Sequence, residues 1–514
     1  MKNLIVVLSL ITILITLIGC AKHVKEEKKP NVIVFLVDDL GWNETSLVMG
    51  KEATKYNKRY RTPNLKKLAT QGITFTNAHS NAICVPSRVS LLTGQNFMRH
   101  QAKGDLHSMF NKSKTLEFPG GNAIVEPKNM LPAVLKRNGY HTIHTGKFHV
   151  CHRCPENKSP SPKEGGFDIN IGGTGYGAPS NYHAIDSFQK KGRKQPMPGL
   201  EKYYGKDIHL TEALTIESLN AAKKAVDNNQ PFFLYLAHYA VHTPIQEHKP
   251  YYKNYKLTDG ESKNEAKYAS MIEGVDASLG QVMSALNSWK IADNTLIIFY
   301  SDNGGRVLGR GKKSLYGDFE FNFPLRSGKA SSYQGGFKVP CVVSWPDKIK
   351  NNEQSDAPLI IEDIYSTVLK ATNTKVPVDY PVDGMDWLSM LESQKTPEAI
   401  QKRSLFFYMP YRFNGVDYNG PDFSNGGVKP AASIIKNNWK LIYFFEEQIF
   451  ELYNLKEDIS EKQNLIDTYP DKAYALVTAL NQNMKAKKLT TVPLRLPERI
   501  EVKWPLEAWN ERAN

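Results

Sequence analysis

Asn31-Val-Ile-Val-Phe-Leu-Val-Asp-Asp39 is the stretch of this 514-residue chain that decides its fold class. After its first residue the run to Val37 is continuously apolar, which is typical of a strand buried on both faces of a parallel sheet. The run ends abruptly at two carboxylates, Asp38 and Asp39. Because ligands bind beyond the carboxyl ends of the strands in open parallel sheets, the pair is a candidate for a functional site.

Three later segments that are predicted to be strands end in polar side chains in the same way. They are His141–Thr145 before Lys147 and His149, Pro231–Ala237 before His242, and Asn294–Tyr300 before Asp302 and Asn303. Segments of helical character separate the runs: Thr62–Ala69, Leu131–Arg137, Leu210–Asp227 and Lys263–Trp289. This alternation predicts an α/β fold, with a large, mostly parallel sheet flanked by helices on both faces. The polar side chains should therefore meet at one edge of the sheet.

A second motif, Ile83-Cys84-Val-Pro86-Ser87-Arg88-Val-Ser-Leu-Leu-Thr-Gly94, places a cysteine directly before a predicted helix. Pro86 suits a first helical turn, where its missing N–H would have no partner, and Gly94 ends the helix. A side chain at a helix N-terminus lies near free N–H groups and suits an anionic ligand, and Arg88 adds a cation. The competing interpretation is a buried structural cysteine before an ordinary helix.

The acidic residues at two of the strand ends offer only oxygen ligands. Asp38, Asp39, Asp302 and Asn303 are hard donors, which favour Ca²⁺ or Mg²⁺ over zinc. One such pair is often only a solvated turn. Two sets at two strand ends make a metal site the stronger hypothesis.

Taken in chain order, these blocks resemble those of the type I sulfatases, the formylglycine-dependent family of the alkaline phosphatase superfamily. The resemblance covers most of residues 31–465 and extends to bacterial polysaccharide sulfatase lipoproteins. Three further blocks carry it: Leu325-Arg326-Ser327-Gly328-Lys329, Tyr333-Gln334-Gly335-Gly336 and Glu451-Leu452-Tyr453-Asn454-Leu455. Phe148 stands where the family commonly has Trp, and Gln334 where it often has Glu, but no catalytic group is missing.

The resemblance implies an alkaline phosphatase-like fold and the hydrolysis of sulfate esters. It implies that a separate maturation enzyme converts Cys84 to formylglycine (3-oxoalanine), the nucleophile. One Ca²⁺ would be bound by the modified Cys84 together with the oxygen donors at the two strand ends, Asp38, Asp39, Asp302 and Asn303.

The same resemblance assigns the remaining site residues. Arg88 and Lys147 would hold the nucleophile and Lys329 the sulfate, while His149 and His242 would handle protons. A hydrated aldehyde carries two hydroxyls on one carbon, so one can attack sulfur and the other can later release sulfate. His149 would take the proton in that release, and His242 would protonate the leaving alcohol. Charge on the transferring group would be stabilised by the metal and the three cations.

Two other functions remain open at this point. A phosphomonoesterase or phosphodiesterase of the same superfamily would usually carry Ser or Thr as nucleophile and bind two transition metals. A surface lipoprotein that binds glycans with a dead site is the second alternative. The cysteine in its full motif favours sulfate, and retention of the six catalytic residues argues against a dead site.

The composition of the chain indicates which classes of binding partner suit its surface. The formal net charge is +14, from 66 basic and 52 acidic residues, and the basic residues are scattered rather than gathered in an arm. No nucleic-acid module is visible. A polyanionic substrate fits this surface, and so does a solvated basic surface with no partner. The resemblance to sulfatases, together with the predicted lipid anchor, implies a sulfated polysaccharide or an oligosaccharide derived from one. The Gly- and Pro-rich segment from Cys151 to Gly205 and the run of basic residues after Asn303 are the candidate pocket walls; the basic residues are Arg306, Arg310, Lys312 and Lys313.

The N-terminus predicts export. Residues 1–19 have a charged end and an apolar run too short for a membrane span, so they form a signal peptide. Leu17-Ile18-Gly19-Cys20 resembles a bacterial lipobox, which would place a lipid on Cys20 and the protein in the periplasm or outer membrane of a Gram-negative bacterium. Residues 20–30 are then a charged tether.

Two domains follow the tether. Residues 31–380 form the predicted catalytic domain, and residues 381–514, with short aromatic runs, a smaller C-terminal α+β subdomain with an antiparallel sheet.

Cys151 and Cys154 could form a disulfide outside the cytoplasm or a metal clip, and one such pair is weak evidence for zinc.

Overall fold

The structure, a computed structural model, describes residues 28–102, 126–150, 161–190, 192, 195–257, 262–306, 322–349, 352–393, 395–410, 429–489 and 503–512. Several expectations fall outside these residues. They concern the signal and lipid site at Cys20, the pair Cys151 and Cys154, and the basic residues Arg310, Lys312 and Lys313.

The described strands run in chain order as follows: β1 (Asn31–Val37), β2 (Gly72–His79), β3 (His141–Gly146), β4 (Ile169–Ile171), β5 (Phe232–Ala237), β6 (Thr295–Ser301), β7 (Lys338–Ser344), β8 (Glu353–Ser355), β9 (Leu359–Ile360), β10 (Ser404–Met409), β11 (Ala431–Lys436), β12 (Trp439–Phe444) and β13 (Ile449–Asn454).

The described α-helices are α1 (Lys55–Arg59), α2 (Pro63–Thr70), α3 (Cys84–Thr93), α4 (Phe97–His100), α5 (Leu131–Arg137), α6 (Leu210–Asp227), α7 (Lys249–Tyr252), α8 (Lys263–Ser288), α9 (Gln334–Phe337), α10 (Asp363–Ala371), α11 (Leu388–Ser393), α12 (Glu398–Gln401), α13 (Pro470–Ala486) and α14 (Pro505–Arg512). Short 3₁₀ turns occur at Pro127–Asn129, Ala184–Asp186 and Glu201–Tyr203.

Within the described residues, nine strands form one sheet in the order β4-β3-β5-β1-β6-β7-β2-β8, with β9 paired to β2. The prediction of a mostly parallel sheet is confirmed, because β1 is parallel to both β5 and β6, and β3 to β4 and β5. β7 differs, since it runs antiparallel to both of its neighbours, β6 and β2.

Strand β1 lies at the centre of this sheet, and its side chains serve both faces. Ile33, Phe35 and Val37 pack into one apolar cluster with residues of α6 and α8. Val32, Val34 and Leu36 pack into a second cluster with residues of α3, α5 and α10. Burial on both faces is the reason that the run is continuously apolar.

Helix α3 starts one residue earlier than predicted. Helix α3 begins at Cys84 itself, with Ile83 as N-cap, so Pro86 occupies the third helical position. That position tolerates proline because the first four N–H groups of a helix have no intrahelical partner. For α2, the side chain of the N-cap residue Thr62 makes no capping hydrogen bond; the carboxylate of Asp276 in α8 accepts the N–H groups of Asn64 and Leu65 at 3.0 and 2.8 Å instead.

The predicted C-terminal antiparallel sheet is present, in the order β10-β11-β12-β13. Helix α13 covers it. Strand β11 and helix α14 were not predicted. None of the helices in the described part of the chain has the length and apolar character needed to cross a membrane.

Candidate active site

The carboxyl edge of the large sheet collects the predicted site residues. Asp38 and Asp39 follow β1, Lys147 and His149 follow β3, His242 follows β5, and Asp302 and Asn303 follow β6. Cys84 and Arg88 come from the first turns of α3, and Lys329 from the loop before α9. All ten lie in described residues, and nine are buried, while His242 is partly buried.

The two consecutive carboxylates after β1 point into one cluster. Asp39 has a φ of 62°, which is an uncommon, left-handed conformation for a residue other than glycine and breaks the alternation of the strand. Ligand atoms of Asp38, Asp39 and His242 consequently lie within 4.8 Å of one another. Such a cluster can hold a metal ion.

Each carboxylate meets a cation. Arg88 donates its Nε and Nη2 to Asp302 Oδ2 at 2.9 and 2.7 Å, and its Nη1 to the carbonyl oxygen of Lys147 at 2.6 Å. Lys147 Nζ donates to Asp38 Oδ2 at 2.5 Å, and Lys329 Nζ donates to Asp39 Oδ1. Arg88 and Lys147 therefore hold carboxylates directly; that they also hold the nucleophile at position 84, as the resemblance implies, stays a prediction.

Several oxygens in the cluster lack a hydrogen-bond donor. Asp38 Oδ1, Asp39 Oδ2 and Asn303 Oδ1 are buried, and none of them accepts a hydrogen bond from the residues that the structure describes. Asn303 turns its Nδ2 to Asp39 Oδ1 at 2.8 Å, which leaves its oxygen available. Buried oxygens without donors are costly unless a cation binds them. The donor set, all hard oxygen apart from the nearby imidazole, fits a Ca²⁺-type ion.

The charges shift the two carboxyl groups in opposite directions. Burial, reinforced by the neighbouring Asp302, raises the pKa of Asp38 to about 8. Burial also acts to raise the pKa of Asp39, but the charges of Lys329 and His242 outweigh it and hold that pKa below its usual range. With no cation bound, Asp39 is therefore the more readily ionised of the two carboxyl groups.

Cys84 faces a histidine. Its Sγ lies 3.4 Å from His149 Nδ1, and the thiol is buried at the first residue of α3. His149 also has a left-handed φ, 45°, which turns its ring back towards the helix. A proton can therefore pass between His149 and a group carried at position 84.

His242 is fixed in one tautomer. Its Nδ1 lies 2.9 Å from the carbonyl oxygen of Thr243, which can only accept, so Nδ1 carries the hydrogen. Nε2 then faces the cluster, 3.7 Å from Asp39 Oδ2. Burial lowers the pKa of His242, although Asp39 acts in the opposite direction.

The structure adds positioning residues that the sequence analysis did not single out. Tyr182 donates its hydroxyl to the carbonyl oxygen of His242 at 2.8 Å. Gly177 backs the ring of His149, since a Cβ there would lie 2.5 Å from His149 Cε1. Asn322 accepts the N–H of Gly305 at 2.9 Å and donates to the carbonyl oxygen of the same residue at 2.9 Å, so it joins the segment after β6, residues 302–306, to the loop that carries Lys329. No local pattern marks these contacts, because each partner is distant in sequence.

Other histidines have structural surroundings. His144 is buried, its Nδ1 lies 2.9 Å from Asn170 Oδ1, and burial lowers its pKa to about 4. His183 packs edge-on to His209. Among the predicted wall residues, Arg306 is described; its Nη1 donates to Thr243 Oγ1 at 2.9 Å, next to His242.

Known proteins are similar to this chain in sequence and in architecture. The family profile described as Sulfatase matches residues 30–374, and the profile described as N-sulphoglucosamine sulphohydrolase, C-terminal, matches residues 328–490. A sulfatase of Formosa agariphila is 28% identical over 522 residues, which cover 90% of this chain and 88% of that protein. N-acetylgalactosamine-6-sulfatase of Canis lupus familiaris is 29% identical over 388 residues, covering 74% of this chain and 68% of that protein.

A solved structure agrees along nearly the whole length. The crystal structure of Ps i-CgsB in complex with k-i-k-neocarrahexaose matches with a TM-score of 0.67 and 25% identity, covering 94% of this chain and 98% of that chain. The sulfatase profile alone spans more than half of the 514 residues, and the cysteine, carboxylates and cations described above lie within that span. The chain therefore belongs to the sulfatase family.

Proposed function

We propose that this sulfatase acts on sulfate esters of a polysaccharide or its oligosaccharides, with a formylglycine made from Cys84 and one bound Ca²⁺. The observation that carries the proposal is one buried cluster in which Cys84, at the start of α3, lies within electrostatic reach of Arg88 and Lys329, beside three oxygens that accept no hydrogen bond from the described residues. Asp38, Asp39, Asp302 and Asn303 would hold the ion together with the modified residue 84.

The two absent groups supply the core chemistry when present: the hydrated aldehyde provides one hydroxyl to attack sulfur and a second for sulfate release, and the ion stabilises negative charge. His149, 3.4 Å from the Cys84 sulfur, is placed to take the proton from a group at position 84. His242 presents Nε2 to the cluster and would protonate the leaving alcohol oxygen. An anionic ester beside it favours the protonated imidazole.

Three cations of the chain, Lys329, Lys147 and Arg88, contribute to the electrostatics of the proposed reaction. Lys329 reaches Asp39, and Lys147 reaches Asp38, so both ammonium groups border the place where a sulfate group would sit. Arg88 fixes Asp302 from within the core and is fully buried. Preorganised cations in a water-poor site stabilise charge on a transferring group without reorganising at the moment of reaction.

Two relatives support a carbohydrate substrate. Ps i-CgsB was solved in complex with k-i-k-neocarrahexaose, and another relative is an N-acetylgalactosamine-6-sulfatase. The net charge of +14 on this chain would assist the encounter with a polyanion, although fields from scattered charges fade within ~8 Å at physiological salt. Recognition would rest on the pocket walls, where Arg306 lies beside His242 and Thr243.

Peptide mass spectrometry tests the nucleophile. We expect the tryptic peptide of residues 68–88, from protein made with a maturation enzyme, to have lost the Cys84 sulfur and gained an aldehyde. Protein made without that enzyme is the control and should retain the thiol. A fully active preparation with an intact thiol would refute the formylglycine.

A substrate panel tests the reaction. Sulfated oligosaccharides would be compared with an aryl sulfate and an aryl phosphate, with free sulfate and phosphate measured. Preference for the phosphate would select the phosphoesterase alternative. Turnover of the aryl sulfate with refusal of every sulfated glycan would remove the carbohydrate claim and leave the sulfatase.

We also propose that the lipobox at Cys20 anchors the protein in the membrane on the periplasmic side or at the outer surface. The support is the sequence Leu17-Ile18-Gly19-Cys20. The variant Cys20→Ala should leave the membrane fraction, and its retention there would contradict the anchor.

A further inference from the structure

The loop that carries Lys329 is unusual in its backbone. Asn322, Ser327 and Ala330 have φ values of 70°, 63° and 71°, all in the left-handed region. Residues other than glycine adopt that region at a cost and keep it only when their surroundings fix them. Something outside the loop must therefore hold residues 322–333 in place.

The active-site side supplies only part of this support. The N–H of Lys329 donates to the carbonyl oxygen of Gly305 at 3.0 Å, and that of Ala330 donates to the carbonyl oxygen of Ala82 at 2.7 Å. Lys329 thus lies between Gly305, in the segment after β6, and Ala82, in the segment before α3. The opposite side of the loop faces the C-terminal sheet.

Arg326 makes the first contact with that sheet. Its Nη1 donates to the carbonyl oxygen of Glu461 at 2.8 Å and to the hydroxyl of Tyr453 at 3.2 Å. Its guanidinium lies 3.8 Å from the ring centre of Tyr333, so it is stacked within the loop as well. Planar donors of this kind fix orientation, which a lysine could not do.

Two acidic groups of the C-terminal region complete the contact. Glu451 Oε2 accepts the hydroxyls of Tyr333 and Tyr453 at 2.9 and 2.8 Å. Glu461 Oε2 accepts the N–H of Gln334 at 2.6 Å, while its Oε1 pairs with Lys440 at 2.6 Å. Lys440 and Glu461 are both fully buried. Removing a paired, hydrogen-bonded charge from water gains little net stability, so this pair is better explained by the geometry it imposes.

We propose that the C-terminal sheet positions Lys329. The 325–334 loop is held, through its residues Arg326, Tyr333 and Gln334, by four residues of the C-terminal region: Tyr453, Glu451, Glu461 and Lys440. These contacts determine the position of the Lys329 ammonium group in the active site. These are positioning residues, since none of them reaches the metal cluster among the described contacts. The inference rests on the proposed role of Lys329 as the sulfate-holding cation.

Tyr453→Phe tests these contacts, because it removes only the hydroxyl that joins Arg326 to Glu451. We expect kcat/KM for an aryl sulfate to fall between about 10-fold and about 100-fold, the cost of a small displacement of a reacting group. Tyr443→Phe is the matched control: its hydroxyl, on the adjacent strand β12, donates to the carbonyl oxygen of Lys503 at 3.0 Å, away from the loop. Its kcat/KM should stay within about 2-fold of wild type.

A double-mutant cycle separates positioning from general loosening. In a Lys329→Met background, Tyr453→Phe should have almost no further effect, because the residue it acts through is gone. Hydrogen exchange of the 325–337 peptide should accelerate in Tyr453→Phe and not in Tyr443→Phe. An equal loss in both backgrounds overturns the proposal, and unchanged exchange in that peptide overturns it even if Lys329→Met is too slow to assay. Failure of the wild type to hydrolyse any sulfate ester is a different result, which refutes the proposed function.

Discussion

His248 should make the stability of this protein depend on pH through a stack of rings next to the active site. The ring of His248 lies 4.1 Å from that of His209, which stacks on Tyr182 at 5.1 Å. Tyr182 in turn holds the carbonyl oxygen of His242. Burial, followed by the charge of His183, lowers the pKa of His248 to about 4. There is no spare room around it, because a Cβ on Gly274 would lie 1.9 Å from His248 Nδ1.

The sign follows from comparing the folded and unfolded chains. The pKa of His248 is about 4 in the folded protein and ~6.5 in the unfolded chain, so acid protonates the unfolded chain first. The stabilisation is complete above pH ~6.5 and is lost as the pH falls towards 4. Between about pH 7 and about pH 5 this single imidazole should remove about 2 kcal/mol from the free energy of unfolding.

Urea unfolding followed by tryptophan fluorescence, at constant calcium, measures this loss. The variant His248→Asn has no imidazole to protonate in either state, so its free energy of unfolding should fall by about 2 kcal/mol less than that of wild type over the same pH range. All other titrating groups are common to the two proteins and cancel in the difference, apart from the coupling of His248 to His183, His209 and His238. If the two proteins lose the same free energy, or the variant loses more, the reasoning about His248 is wrong.

Other perturbations have equally definite outcomes. Cys84→Ala should abolish turnover of an aryl sulfate while changing the unfolding free energy by only about 1 kcal/mol, since it removes one buried sulfur; substantial activity would refute the nucleophile. Chelation of calcium should lower the unfolding midpoint as well as activity, and calcium at about 100 times its Kd should restore ~2.7 kcal/mol; an unchanged midpoint would contradict the ion site. Lys440→Met leaves Glu461 buried and unpaired and should cost about 3–5 kcal/mol in urea unfolding, most of which Lys440→Met with Glu461→Gln should recover; equal losses in both would show that the unpaired charge is not the cause.

The sequence was most informative where a local pattern had a single physical cause. Burial of β1 on both faces left a continuous apolar run, so the strand and the carboxylates after it were predictable. Seven of the ten site residues could be placed at one edge because they follow parallel strands, which end together; Cys84, Arg88 and Lys329 were assigned through their motifs and the family resemblance. The antiparallel direction of strand β7 could not be predicted, because it depends on how the chain runs between residues 302 and 337, and that part of the sequence shows no periodicity. The contact of Tyr453 with Arg326 was equally hidden, since it joins residues more than a hundred positions apart.

The two-sided burial of β1 has a consequence for how this sequence can change over time. A one-residue deletion inside the strand would exchange the side chains of both apolar clusters and rotate the carboxylate pair away from its partners at once. A chain with a slipped register would therefore lose its fold and its chemistry in the same event, and no well-folded but misaligned product would accumulate. Insertions are tolerated only beyond the strand ends. New specificities must then come from longer or shorter loops around a frame whose length is fixed.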